Sequence, residues 1–198
     1  MPLLTSSEAA DIIEARTGFR PDRRWLHAQA ITNLLPDHGT GVHHRFDADE
    51  LAEFLARYPY RRTLPFAYLG VSLGVLVEVD EYERTAPAKP FRRWAGYDHH
   101  NTRGLTSVER ARAIVANWRI SRATAQYVLD HRLPLIGDVK GVVDHDMIYW
   151  PRGIIPLAGG IGFDIDPDLR GHDEIGTGAI IDIPRGNVWR LMTEGTAP

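Results

Sequence analysis

Two clusters of basic and amide-bearing side chains stand out, far apart in the chain. The first comprises Arg20, Arg23, Arg24 and His27, and the second comprises Arg119, Ser121, Arg122, Thr124, Gln126 and Tyr127. Their short spacing would place several members on one face of a helix. Side chains of these types hydrogen-bond base edges in the DNA major groove, which is wide enough to admit a helix. The clusters are candidate contacts to double-stranded DNA. The alternative is that they form the solvent-exposed faces of ordinary amphipathic helices.

Turn-forming residues follow the first cluster and lead into a short extended run. This run carries His43, His44 and Arg45, whose side chains could contact phosphates or the minor groove. Lys140 occupies a comparable place in a turn at residues 138–141, after the second cluster. An exposed polar hairpin without a ligand explains the first run equally well.

A repeated pattern indicates the elements that would position these clusters. The pentad LTSSE begins at residue 4 and LTSVE begins at residue 105. Each resembles a helix start, in which Thr or Ser caps the helix and Glu follows three residues later. Each helix-like stretch ends at a Leu-Pro pair, at residues 35–36 and 133–134. The pattern therefore predicts a helix, a turn, a second helix and a hairpin in each copy.

The periodicity predicts five helices. In the first copy they cover residues 5–16, 21–32 and 48–58, and in the second copy residues 106–118 and 121–131. Residues 36–46, a turn followed by a short extended run, and residues 133–150 would form the two hairpins, or wings. The remaining chain is strand-like and glycine-rich, and the predicted strands cover residues 66–69, 71–79, 91–97, 153–163, 177–183 and 187–192. We expect the C-terminal strands to complete a sheet with the middle region.

These elements predict an α+β protein with two winged helix-turn-helix-like modules and a β-rich body. The modules would cover residues 1–62 and 103–152. A β-rich connector would cover residues 63–102, and a β-rich C-terminal segment would cover residues 153–198.

Composition favours an ordinary globular protein, with 43% apolar and 25% charged residues among 198. Neither a membrane span nor a secretory signal is evident, so a cytoplasmic location is expected. The net charge of −3 argues against a globally basic DNA-binding surface. However, residues 103–132 carry six basic and two acidic side chains, whereas residues 133–198 carry five basic and ten acidic ones. The acidic C-terminal segment is a candidate surface for a protein partner.

Other chemistry has weaker support in the sequence. Histidines and aspartates cluster at residues 98–100 and 144–146, but neither cluster has a recognised metal-ligand spacing. Asp164, Asp166 and Asp168 alternate and could hold a cation or form a general acid-base pair, but turn and surface chemistry before Pro167 explains them more simply. The absence of cysteine excludes disulfides and thiolate catalysis. We therefore predict no metal, no cofactor and no enzymatic activity.

Residues 4–56 resemble the excisionase-type, or MerR-like, winged helix-turn-helix. The resemblance depends on LTSSEAA at residue 4, Trp25-Leu26, the Leu-Pro pair and RFDADELAEFL at residue 45. The second copy is most similar in ISRAT at residue 120 and HRLP at residue 131. The resemblance implies selective binding of duplex DNA in recombination or transcription control, as in phage or mobile-element regulators. Because small terminase subunits carry related modules, the alternative is a phage structural or packaging protein whose winged modules dock proteins.

Overall fold

The chain is a mixed α+β protein. A computed structural model describes residues 3–41, 43–79, 92–115, 119–157, 160–183 and 189–192, with the backbone alone at residues 115, 167 and 168. The N-terminal elements are β1 (Leu4–Thr5), α1 (Ser6–Thr17), α2 (Arg23–Ile31), β2 (Arg45–Phe46) and α3 (Ala48–Arg57). These helices confirm the three predicted in the first copy. Strand β1 pairs antiparallel with β2, so the start of the chain is joined to the hairpin after α2.

The central elements are β3 (Tyr60–Arg61), β4 (Tyr68–Ser72), β5 (Val77–Glu78), β6 (Trp94–Ala95), α4 (Ser107–Val115) and α5 (Arg122–Asp130). Both helices lie where the second copy predicted them. Strand β4 joins the end of the strand predicted at 66–69 to the start of the one predicted at 71–79, and β5 is a short strand near the end of the latter. Parts of the predicted strand at 91–97 and of the helix at 106–118 lie outside the described residues.

Six strands complete the fold: β7 (Leu135–Asp138), β8 (Val142–Asp144), β9 (Ile148–Leu157), β10 (Gly160–Arg170), β11 (Gly178–Ile181) and β12 (Trp189–Met192). One sheet has the order β10-β9-β7-β4-β12, and another has the order β3-β11-β8. Strand β12 pairs antiparallel with β4, and β11 pairs parallel with β3. The C-terminal strands therefore join the middle region in sheets, as expected.

The repeated pentads are helix caps with the same hydrogen bonds. Thr5 Oγ1 accepts from the Glu8 N–H at 3.2 Å, and the Glu8 carboxylate accepts from the Thr5 N–H at 2.7 Å. The corresponding distances between Thr106 and Glu109 are 3.3 and 3.1 Å. Such reciprocal bonds satisfy backbone donors that a helix start leaves unpaired. The sequence repeat thus reflects a physical requirement of two helix starts.

The two copies diverge immediately after their second helices. Residues 133–150 do not form a second wing, because β7 lies in the middle of the five-stranded sheet, parallel to β4 and antiparallel to β9. All four residues of β7 are buried. Strand β8 belongs to the three-stranded sheet, so the intervening turn is where the chain changes sheets. The prediction of a wing failed because a strand that is buried on both faces does not show the alternation of polar and apolar residues that marks a half-exposed strand.

Helices α4 and α5 belong to the connection between the parallel strands β4 and β7. Parallel neighbours require such a crossover, because a tight turn can join only antiparallel strands. One hydrophobic cluster includes Ile13 of α1, Leu51 of α3, Ile114 of α4 and Leu135 of β7. The core therefore crosses the boundaries of the predicted segments. Among the described residues, no helix combines the length and the apolar character needed to cross a membrane.

Candidate nucleic-acid interface

Helix α2 buries one face and exposes a basic one. The Asp22 side chain caps the helix by accepting from the Trp25 N–H at 2.7 Å. Trp25 and Leu26 are buried in the core. Arg24 and His27 are exposed on the opposite side of the helix. The amphipathic pattern thus anchors α2 by its apolar side chains and leaves its cationic face accessible.

A hairpin over residues 37–46 follows α2. The His38 N–H donates to the Arg45 carbonyl at 2.8 Å, and Thr40 and His43 form an isolated bridge nearer the tip. The Asp37 carboxylate accepts from the N–H groups of Gly39 and Arg45, both at 2.9 Å. One acidic side chain therefore holds both strands of the hairpin, where the sequence predicted a turn.

His44 connects this hairpin to α2 and is not a surface residue. Its Nδ1 lies 2.6 Å from Asp37 Oδ2, and its Nε2 lies 2.9 Å from His27 Nδ1. Only 7% of His44 is exposed. The prediction that His44 contacts DNA was wrong, because adjacent strand residues face opposite sides and His44 faces inward. Its neighbour His43 is exposed.

The remaining predicted contacts are accessible to different degrees. Arg20 is half exposed, but its guanidinium lies 2.7 Å from Asp11 and 2.5 Å from Glu14 of α1, which balance its charge. Arg45 and Thr124 are partly buried. The exposed members are Arg20, Arg23, Arg24, His27, His43, Arg119, Ser121, Arg122, Gln126, Tyr127 and Lys140. Lys140 lies in the turn between β7 and β8 with φ 52°, and not in a wing.

Helix α5 presents the second set of predicted contacts. The Ser121 hydroxyl caps the helix by accepting from the Thr124 N–H at 3.0 Å. Gln126 Nε2 donates to Asp130 Oδ1 at 2.8 Å, one turn further along the same face. Arg122 is exposed beside them. The predicted contact of Gln126 with a DNA base would therefore require its amide to leave Asp130.

A buried polar cluster joins the motif at residues 98–100 to the motif at residues 144–146. Asp144 Oδ2 accepts from the Tyr58 hydroxyl and from Arg57 Nη2, the latter at 3.1 Å. His99 Nδ1 lies 3.7 Å from the same oxygen and 3.1 Å from the Tyr97 hydroxyl. Tyr58 was not predicted as part of this cluster, because it lies 86 residues from Asp144 along the chain. The cluster ties the end of α3 to β8.

Electrostatics in this cluster favour the neutral forms of Tyr58 and His99 beside the ion pair of Asp144 and Arg57. Burial raises the pKa of Tyr58, and the charge of Asp144 raises it further. Burial and the nearby Arg103 lower the pKa of His99, although Asp144 opposes them. The raised pKa keeps the Tyr58 phenol protonated and able to donate to Asp144, and the lowered pKa favours the neutral form of His99. The hydrogen bonds to Asp144 therefore cross-link α3 and β8.

A cavity of about 310 Å³ adjoins this cluster and is lined by Arg57, Asp144, His145, Asp146, Gly176 and Thr177. In the part of the chain that the structure describes, no three His, Asp or Glu side chains converge as a metal site would require. His99 and Asp144 lie 3.7 Å apart, whereas the other two residues of each motif take no part in this contact.

Protonating Asp37 is expected to weaken the hairpin. Burial raises the pKa of the Asp37 carboxyl, but hydrogen bonds from His44, Arg45 and Gly39 outweigh this effect and hold the pKa below its usual value. A carboxyl whose pKa is lower in the folded chain than in the unfolded chain stabilises the fold at pH values above its unfolded-state pKa. This stabilisation is lost as the pH falls through the folded-state pKa. Urea titrations should therefore show native protein more stable than Asp37→Asn near neutral pH, with the difference vanishing in acid. An equal difference at all pH values would contradict this role.

Comparison of the chain with protein-family models, with curated proteins and with solved structures found no significant match. The resemblance of residues 4–56 to winged helix-turn-helix proteins therefore depends on the residues quoted above and on the order of the elements that contain them.

Proposed function

We propose that this protein binds duplex DNA by placing α2 in the major groove, with the hairpin of residues 37–46 against the adjacent backbone. The observation that carries the proposal is the exposed basic face of α2, held to the hairpin by the contact between His27 and His44. A recognition helix needs its core face anchored and its basic side chains outside. In α2 the buried Trp25 anchors the core face, and Arg24 is exposed on the other face.

Helix α5 would supply a second, weaker contact through Arg122 and Gln126. Two unlike helices in one chain would read an asymmetric site, since a symmetric operator requires two equivalent helices. The resemblance to excisionase-type proteins supports a role as a phage or mobile-element regulator or recombination factor. Acidic residues dominate the segment 153–198, which would face away from the phosphates or meet a protein partner.

Binding should be detectable by fluorescence anisotropy with random-sequence duplexes at low salt and micromolar protein. Affinity should fall as salt rises, because each phosphate contact releases condensed counterions. The alternative function, a packaging or structural protein with docking modules, predicts a large oligomer without affinity for DNA. Light scattering on the same sample separates the two outcomes. No binding at low salt would remove the DNA proposal.

Replacing Arg24 by glutamine is expected to weaken binding similarly for all sequences, if Arg24 contacts a phosphate. The slope of log affinity against log salt should then decrease in magnitude by about 1. Arg152→Gln is the matched control, since Arg152 lies on β9, is 54% exposed and loses the same charge. The same decrease in slope for both variants would show that the total charge of the protein, and not the position of Arg24, determines the salt dependence. That result would contradict an interface at α2.

A further inference from the structure

Three side chains in a line connect the base of the hairpin to the exposed face of α2. Asp37 Oδ2 lies 2.6 Å from His44 Nδ1, and His44 Nε2 lies 2.9 Å from His27 Nδ1. His44 is buried, whereas His27 is exposed. In an Asp-His-His line of this kind, the acceptor at one end decides which nitrogen carries the proton at the other.

The order of donors and acceptors follows from Asp37. Its carboxylate also receives the N–H groups of Gly39 and Arg45, so it is ionised and can only accept. The proton in its bond to His44 must therefore lie on His44 Nδ1. A neutral His44 then has an unprotonated Nε2, which accepts from Nδ1–H of His27. A neutral His27 is left with an unprotonated Nε2.

Other charged groups near this line do not change the order. On the hairpin, His38 pairs with Glu50 of α3 at 2.6 Å, and His43 is exposed. The Arg45 backbone, like that of Gly39, donates to the second oxygen of Asp37. The ring of Phe46 lies beside His44, with centroids 6.3 Å apart, and offers no competing acceptor.

We propose that His27 is a hydrogen-bond acceptor that selects an amino-bearing base, adenine or cytosine, in the major groove. This inference depends on the proposed function, since it assigns a specificity-determining residue to α2. Adenine N6 and cytosine N4 are the amino donors in the major groove, whereas guanine there offers only acceptors. Asp37 and His44 act as positioning residues, because they set the tautomer of His27. In this state Nε2 of His27 has no proton to donate to a phosphate.

The tautomer can be measured without DNA. Two-bond ¹H–¹⁵N spectra of the full chain should be recorded at about pH 8, above the range in which histidine usually changes charge. We expect His27 to carry its proton on Nδ1. His44→Phe should return the His27 proton to Nε2, whereas His43→Ala, on the same hairpin, should not. A proton on Nε2 of His27 in the native chain would overturn the inference and leave the DNA proposal intact.

Base preference is the second measurement, by selection from a random-sequence duplex library with the native chain and with His27→Arg. The native chain should select adenine or cytosine at one position, where the variant selects guanine, because arginine is a donor. The preference at that position should be about tenfold, as for one specific base pair. The same base selected by both proteins, or guanine selected by the native chain, would overturn the inference. Failure of both proteins to bind any duplex would remove it together with the DNA proposal.

Discussion

Replacing Asp138 by alanine is expected to lower the free energy of unfolding by about 3–5 kcal/mol. Asp138 of β7 and Arg190 of β12 are 1% and 6% exposed. The Arg190 guanidinium donates to the Asp138 carboxylate and also to the Ser72 hydroxyl of β4, at 3.2 Å. The Gly141 N–H donates to the other Asp138 oxygen at 3.0 Å. Alanine would leave a buried guanidinium and a backbone N–H without these acceptors.

Urea unfolding provides the measurement, with Asp164→Ala as the matched control. Asp164 also pairs with an arginine, Arg152, but both are 54% exposed, and a surface pair contributes about 0–1 kcal/mol. The double variant Asp138→Leu/Arg190→Met should recover most of the loss, because it removes both buried charges together. Equal losses for Asp138→Ala and Asp164→Ala would contradict the role assigned to this buried pair.

Trp25→Ala is also expected to cost about 3–5 kcal/mol in unfolding free energy, the usual range for a buried tryptophan. Its ring is 5% exposed and packs edge-on against Phe19 at 5.7 Å and Phe54 at 6.1 Å, measured between centroids. These contacts join α2 to the turn after α1 and to α3. The variant should therefore also lose affinity for DNA under the proposed function, because α2 would no longer be held in place.

Trp25→Phe separates packing from hydrogen bonding at the same position. Trp25 Nε1 is buried and has no acceptor among the described residues. Phenylalanine keeps much of the ring and removes this unsatisfied donor, whose burial costs about 1–3 kcal/mol. We expect a much smaller loss for Trp25→Phe than for Trp25→Ala in thermal unfolding. Ile31→Ala, at a site 40% exposed on the same helix, is the control and should change little. Similar losses for all three variants would refute the anchoring role of Trp25.

Helix positions could be predicted from the sequence because their signals are local. Thr5 with Glu8 and Thr106 with Glu109 form caps within four residues of chain. Ser121 caps α5 in the same manner. Asn33 and Arg132 adopt φ of 55° and 50° where each second helix ends, just before the Leu-Pro pairs. These caps and helix ends depend only on residues that are close together in the chain. The residue types alone therefore indicate where each helix begins and ends.

The environment of the strands could not be predicted in this way. Residues 135–138 are Leu-Ile-Gly-Asp, and all four are buried in a strand that lies between β4 and β9. Asp138 is tolerated there because Arg190, distant in sequence, meets it. A sequence pattern does not reveal such a partner, and an aspartate therefore suggested an exposed wing.

The sequence by itself determined the helices, their caps and the exposed basic face of α2, because side chains within one or two turns decide these features. The tertiary structure alone decided that His44 is buried, that β7 is central and that the motifs at residues 98–100 and 144–146 share a contact. Each of these depends on separate elements meeting in the interior, where a buried polar group must find a partner. For His44 the partners are Asp37 and His27, and these contacts hold the hairpin against α2.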